Sequence, residues 1–67
     1  MEITIRDEYI KLGQAMKLAG IVSSGVDAKF LITDGLVKVN GEVETRRGKK
    51  LYPGDTFEFE GDVVTVK

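Results

Sequence analysis

Tight-turn signals divide the second half of this 67-residue chain into short segments. Asn40-Gly41 lies at the centre of residues 36–44, a pattern typical of a β-hairpin. Pro53-Gly54 suits the two central positions of a type II turn, and Gly61-Asp62 predicts a further tight turn. Residues 56–60 (TFEFE) alternate apolar and polar side chains, as a half-buried strand does. We therefore predict that short antiparallel strands follow residue 36.

The register of the first hairpin depends on the length of its loop. A two-residue loop would place Val37 opposite Glu44. A three-residue loop with Gly41 as a bulge would place Val37 opposite Val43, which matches apolar with apolar. We therefore favour the three-residue loop.

The second hairpin is predicted to turn at Gly61-Asp62. With a two-residue loop there, Phe59 faces Val64 and Phe57 faces Val66. Both pairs lie on one face of the hairpin, which makes the interpretation self-consistent. We assign both phenylalanines to the core.

A first helix is predicted after a short strand at residues 1–5. Asp7 is a suitable N-cap for a helix that begins near Glu8, and Gly20 is a suitable C-terminal stop. Apolar residues recur here at spacings of three and four, which places them on one helical face. That face comprises Tyr9, Leu12, Met16 and Ala19.

A second helix is predicted between Ser24 and Gly35. Ser24 is its N-cap, and Asp27 three residues later gives a weaker form of the capping box. The order of elements is then β-α-α-β-β-β. This order predicts an α+β fold in which two short helices pack on a small, mainly antiparallel sheet, within one domain that comprises residues 1–67.

The residue types that are missing exclude several classes of protein. The chain has no cysteine and no histidine, so the usual zinc sites and disulfide frameworks are excluded, and we expect no metal or cofactor. The N-terminal residues lack the pattern of a signal peptide, and no apolar run is long enough to span a bilayer. We expect a cytoplasmic protein with no membrane partner.

Four cations are concentrated in the five positions 46–50, namely Arg46, Arg47, Lys49 and Lys50. No acidic residue occurs from Thr45 to Gly54, although the net charge of the whole chain is −1. Arginine offers a planar fork of donors to phosphate oxygens, and lysine adds a mobile point charge. The cluster therefore predicts contacts with phosphate groups. The alternative is a solvated loop whose charge is balanced by the nearby acids Glu42, Glu44 and Asp55.

The run SGVDAKFLITDGLVKVNG (residues 24–41) resembles the S-four-type RNA-binding domain, named after a ribosomal small-subunit protein. The matching positions are Ser24, Ala28, Lys29, Leu31-Ile32, Gly35, Val37 through Gly41, and Gly54-Asp55, with Lys11-Leu12-Gly13 at an earlier Arg-Leu-Asp motif. The segments YIKLGQAMKLAG and VNGEVETRRGKKLYPGD are similar to the small stand-alone bacterial subgroup of YaaA/YbcJ type. The chain departs from the family pattern at Gly13, Gly25 and Phe30, where the family has an Asp, an Arg and a further cation.

The resemblance implies the alpha-L RNA-binding motif and a non-catalytic module that docks on structured RNA, with ribosomal RNA first. In this family, two helices and the adjoining loop form the docking surface. Residues 46–50 would therefore be joined by Lys29 on the second helix and by Lys11 and Lys17, which share one side of the first helix with Gln14. Tyr52 is a minor candidate for stacking on a base. On the alternative interpretation, these lysines are ordinary exposed residues, and Lys29 pairs with a neighbouring acid such as Asp27.

Other functions remain open at this stage. The chain could be a protein-interaction adaptor whose basic loop binds an acidic partner, for example on the ribosome, and duplex DNA is a third candidate ligand. Catalysis is disfavoured, because no histidine or cysteine is present to act as base or nucleophile and the carboxylates are scattered. We therefore predict no catalytic residues.

Overall fold

Two helices and seven short strands make up the fold, and the computed structural model describes all of residues 1–67. The elements are β1 (Glu2–Ile3), β2 (Ile10–Lys11), α1 (Leu12–Leu18), α2 (Gly25–Thr33), β3 (Val37–Val39), β4 (Glu42–Val43), β5 (Lys50–Leu51), β6 (Thr56–Phe59) and β7 (Asp62–Val66). Five strands form the main sheet in the order β1-β7-β6-β3-β4, while β2 and β5 form a separate ladder. Only β1 and β7 are parallel, so the predicted architecture of two helices on a mainly antiparallel sheet is confirmed.

The predicted order β-α-α-β-β-β undercounts the strands. Four strands of the main sheet follow α2, and the β2–β5 ladder forms apart from that sheet. Both ladder strands are only two residues long, and strands this short carry no alternation that a sequence pattern could reveal.

The core lies between the helices and one face of the main sheet. Val37 and Val39 on β3 are buried while Lys38 between them is exposed, because successive side chains of a strand point to opposite faces. Neither helix has the length and apolar character that are needed to cross a membrane. The buried cluster comprises Ile3, Leu12, Ala15, Met16, Ala28, Ile32, Val37, Val39, Leu51, Phe57, Val64 and Val66.

Helix α1 begins at Leu12, so the predicted start near Glu8 with Asp7 as cap is wrong. Residues Ile10 and Lys11 are extended instead, since they pair with Leu51 and Lys50 of β5. The start of the helix is therefore set by a segment almost forty residues away in the chain. The predicted end is confirmed, because Gly20 has a φ of 77° just after the last helical turn.

The first hairpin adopts the two-residue loop, so the favoured three-residue register is wrong. Lys38 lies opposite Val43, and the backbone N–H of Glu44 donates to the carbonyl of Val37 (3.0 Å). Asn40 and Gly41 have φ values of 50° and 86°, which is the geometry of a type I′ turn. Val43 is 57% exposed, so an apolar pairing would bury little and the turn decides the register.

The second hairpin turns at Glu60-Gly61, with φ values of 51° and 83°, and not at Gly61-Asp62. Phe57 therefore pairs with Val64, and Phe59 pairs with Asp62. The predicted register is wrong by two residues. A shift of two keeps every side chain on its face, which is why Phe57 is correctly assigned to the core while Phe59 packs against its edge.

The ends of α2 and the type II turn follow the sequence signals. The Ser24 hydroxyl accepts a hydrogen bond from the Asp27 N–H (3.2 Å), and Gly35 follows the helix with a φ of 77°. In the turn at residues 52–55, Gly54 has a φ of 101° and the Asp55 N–H donates to the Tyr52 carbonyl (2.9 Å). These features depend on adjacent residues, and all of them are confirmed.

Candidate nucleic-acid interface

The basic segment (residues 46–50) is fixed against the first turn of α1. The backbone N–H of Leu12 donates to the carbonyl of Lys49 (2.8 Å), and that of Gly13 donates to the carbonyl of Arg47 (3.1 Å). The first N–H groups of a helix have no partner within the helix itself, so these carbonyls do the work of a cap. Two backbone hydrogen bonds thus hold the segment against the helix, and the β2–β5 ladder, which begins at Lys50, holds its C-terminal end.

Three cations converge where the basic segment meets α1. Lys11, Lys17 and Arg47 line a shallow cleft of about 340 Å³, together with Gln14 and three glycines, Gly13, Gly25 and Gly48. No acidic residue lines this cationic cleft, and none of the three cations forms an ion pair with a carboxylate. Their charges are therefore available to a bound anion.

A second cleft continues the basic surface. It is lined by Arg46, Gly48, Lys49 and Lys50, and it shares Gly48 with the cationic cleft. Lys50 also lies directly opposite Lys11 in the β2–β5 ladder. Like charges that face each other across two strands are unfavourable, so the ladder brings positive charge together at a cost in stability.

Arg46 is engaged within the protein. The Glu44 carboxylate accepts three hydrogen bonds from it, from the backbone N–H (3.0 Å), from Nε (3.0 Å) and from Nη2 (3.1 Å). These bonds hold the pKa of Glu44 well below its usual range, at about 2. The Glu44 side chain is only 13% exposed while that of Arg46 is 72% exposed, so the guanidinium still presents an open edge to solvent. The charge of Arg46 is therefore balanced by a nearby acid, as the alternative interpretation of the loop expects.

Two tyrosines support the other end of the basic segment. Lys50 Nζ lies 4.8 Å from the centre of the Tyr9 ring, and the rings of Tyr9 and Tyr52 are 5.9 Å apart with a tilt of 50°. The predicted position of Tyr9 on the core face of the first helix is wrong, because Tyr9 precedes α1 and is only half-buried. Tyr52 lies beside the cluster and is exposed.

Lys29 lines neither of the two clefts. It is exposed on α2 and forms no ion pair with Asp27, whose carboxylate accepts a hydrogen bond from the Ser23 hydroxyl (3.4 Å) instead. The structure thus brings Lys11, Lys17 and the basic segment together, with Tyr52 beside them, and leaves Lys29 outside.

Four cleft residues were not selected from the sequence, namely Gln14 and the glycines Gly13, Gly25 and Gly48. Gln14 carries a signal, because it falls midway between Lys11 and Lys17 on the same side of α1. Gly13 carries none in a single sequence, since the reason for a glycine there is visible only when Arg47 is in place.

Comparisons with known proteins agree with the fold. A family model described as S4 domain matches residues 3–67. The chain is 49% identical over 59 residues to the probable ribosome maturation protein RlbA of Bacillus subtilis (strain 168). This alignment covers 88% of this chain and 83% of the relative. The chain is 43% identical over 58 residues to the putative RNA-binding protein YbcJ of Escherichia coli (strain K12), which covers 87% and 83% respectively. These matches confirm the resemblance that the motifs indicated.

A solved structure shows the same architecture. The solution structure of Escherichia coli YbcJ, described as revealing an alfa-L motif involved in RNA-binding, covers 97% of this chain and 84% of that chain. The two superpose with a TM-score of 0.74 at 38% sequence identity. The predicted alpha-L motif is thereby confirmed.

Proposed function

The chain belongs to the S4 domain family, and from this premise we propose that residues 1–67 form one non-catalytic module that binds structured RNA. Ribosomal RNA is the first candidate ligand, because one relative is named as a probable ribosome maturation protein. A ribosomal ligand would place the protein in the cytoplasm.

The cationic cleft is the observation that carries this proposal. Three cations are held close together with no carboxylate among them, so they repel one another unless an anion is bound. Arg47 can meet two phosphate oxygens through its planar fork, while Lys11 and Lys17 add point charges along α1. Neighbouring phosphate groups of one RNA backbone would pair with these three cations.

The remaining residues of the surface extend this contact. Lys49 and Lys50 continue the positive charge into the second cleft, and Arg46 offers the edge of its guanidinium that Glu44 leaves free. Tyr52 is exposed beside them and could stack on an unpaired base. Lys29 lines neither cleft and would contact a ligand that extends along α2.

Phosphate contacts supply affinity but little sequence specificity, so binding should depend strongly on salt. Each neutralised phosphate contributes about 0.7 to 0.9 to the slope of log affinity against log salt. Four contacts, the number of cations in the basic segment, would give a slope of roughly −3 to −4.

The test is fluorescence anisotropy with a labelled ribosomal RNA hairpin and a matched DNA duplex, each at three salt concentrations. Lys17→Ala with Arg47→Ala removes two charges from the cationic cleft. Lys38→Ala with Lys67→Ala removes two charges from elsewhere, because Lys38 lies on the uncovered sheet face and Lys67 pairs only with Glu2 at the surface. Both variants therefore have the same net charge.

We expect the slope of log affinity against log salt to be less steep in the cleft variant, by about 1.4 to 1.8. The control variant should keep the parent slope. Equal slopes for the two variants would show that only net charge matters and would refute the cleft as the contact. An absence of binding to RNA at low salt would refute the RNA function itself.

A protein adaptor is the second candidate, and exposed apolar residues on α2 favour it. Val26 and Phe30 are 61% and 63% exposed, which leaves a short apolar strip on α2. An RNA-binding module should co-purify with nucleic acid and show raised absorbance at 260 nm. An adaptor should show neither, and replacement of Phe30 by Ser should weaken its complex at any salt concentration.

A further inference from the structure

Gly13 lies in the first turn of α1, and its backbone conformation does not require a glycine. Its φ is not among the positive values of the chain, and it has the ordinary geometry of a helix. A glycine within a helix is less favourable than an alanine, because its backbone loses more conformational freedom on folding. Gly13 is also buried, so the space around it rather than the backbone explains the residue.

That space is occupied by the side chain of Arg47. A Cβ atom at position 13 would lie 2.8 Å from Cγ and 3.3 Å from Cδ of Arg47, and the next neighbour, Ala28 Cβ, would be at an ordinary 3.8 Å. The aliphatic part of Arg47 therefore crosses α1 directly over the glycine. A methyl group there would force the Arg47 side chain to rotate near its base, while the next neighbouring atom would stay at 3.8 Å.

We propose that Gly13 is a positioning residue of the RNA surface. Because it has no side chain, Arg47 lies across the first turn of α1 and joins Lys11 and Lys17 in the cationic cleft. The Gly13 N–H also donates a hydrogen bond to the Arg47 carbonyl (3.1 Å). Gly13 therefore contacts both the backbone and the side chain of Arg47. This inference rests on the proposed function.

The inference predicts that stability and binding respond in opposite directions. Gly13→Ala should fold at least as stably as the parent, because alanine is the better helix former and the displaced arginine is exposed. It should nevertheless bind RNA about tenfold more weakly, the loss expected when one charge-assisted hydrogen-bonded contact is removed.

The experiment is a double-mutant cycle in the full chain with Gly13→Ala, Arg47→Ala and the two together, measured by RNA anisotropy and by thermal unfolding. We expect both single variants to weaken binding to a similar extent and the double variant to be no weaker than Arg47→Ala. A nuclear Overhauser contact between the Gly13 α-protons and the Arg47 side-chain methylenes should be present in the parent and lost in Gly13→Ala.

Each result decides between the two claims. If Arg47→Ala weakens binding and Gly13→Ala does not, the positioning role is refuted while the RNA function stands. A Gly13→Ala variant that unfolds at a lower temperature than the parent would also refute it, because the methyl group would then disturb more than Arg47. If the parent binds no RNA, the proposed function fails, and the role of Gly13 in an RNA surface fails with it even where the Overhauser contact is present.

Discussion

Replacement of Asn40 should destabilise the fold more than its exposed position suggests. Its backbone has a φ of 50°, and its side-chain oxygen accepts a hydrogen bond from the Thr56 N–H (2.9 Å). Its amide donates to the Asp55 carboxylate (3.2 Å), which in turn accepts from the Tyr52 N–H (2.8 Å). One residue therefore ties the first hairpin to the type II turn and to the start of β6.

Asn40→Ala lowers the free energy of unfolding in two ways, through backbone strain and through a lost hydrogen bond. Alanine in the left-handed region costs about 1–2 kcal/mol, and the loss of an acceptor for a half-buried N–H costs about 1–3 kcal/mol. The sum, about 2–5 kcal/mol, is a large part of the roughly 3–10 kcal/mol that a chain of this length has available. Asn40→Gly keeps the backbone conformation at no strain, so it should lose only about 1–3 kcal/mol.

The assay is urea unfolding followed by far-ultraviolet circular dichroism, with thermal unfolding beside it. The expected order of stability is parent, then Asn40→Gly, then Asn40→Ala. For a domain of this size each 1 kcal/mol lowers Tm by about 4–8 °C, so the alanine variant should melt at least about 8 °C below the parent. An alanine variant as stable as the glycine variant would refute the role of backbone strain. Two variants within about 0.5 kcal/mol of the parent would refute the role of the side-chain hydrogen bonds.

Two further predictions concern single glutamates. The Glu44 pKa is lowered from 4.5 to about 2 by the hydrogen bonds from Arg46, so its contribution to stability is present above pH 4.5 and is lost as the pH falls through 2. Glu44→Gln should therefore reduce stability at neutral pH, and its deficit in acid unfolding curves should shrink below pH 4.5 and vanish only below about pH 2. A deficit that is constant with pH would contradict the assignment. Glu60 has a φ of 51° before Gly61, a conformation that asparagine adopts more readily than glutamate. Glu60→Asn should therefore raise the free energy of unfolding by up to about 1 kcal/mol. A lower free energy of unfolding in urea would show that other contacts hold the turn.

The sequence predicted those elements of the fold that depend on neighbouring residues. Ser24 as a cap, Gly20 and Gly35 as helix ends, and the turn at Pro53-Gly54 are all set within a few positions of the chain. The start of α1 was missed because it depends on Leu51 and Lys50, which the local pattern around Asp7 does not reveal.

Both hairpin registers were missed for a different reason. The predictions paired apolar residues in the first hairpin and placed the glycine first in the turn of the second. The structure follows turn geometry in both cases, because Asn40-Gly41 and Glu60-Gly61 each place two residues with positive φ where a type I′ turn needs them.

The candidate site was also predicted in part. Local charge density identified the basic segment, and helical spacing placed Lys11 and Lys17 on one side of α1. Arg47 lies beside those lysines because the basic segment contacts Gly13, which is more than thirty residues away in the chain. A single sequence does not reveal such a long-range contact. The engagement of Arg46 by Glu44 is local, but it requires the extended backbone at residues 44–46 that the structure shows.

The carbonyls of Arg47 and Lys49 that cap α1 have a consequence for how this surface can vary. Those carbonyls must reach two particular amides of the helix, whatever side chains the segment carries. An inserted or deleted residue between β4 and β5 would move them away and leave the helix without a cap, whereas substitution of any of its cations would not. Natural or designed variants can therefore change the charge and shape of this surface by exchanging side chains, but not by changing the length of the segment.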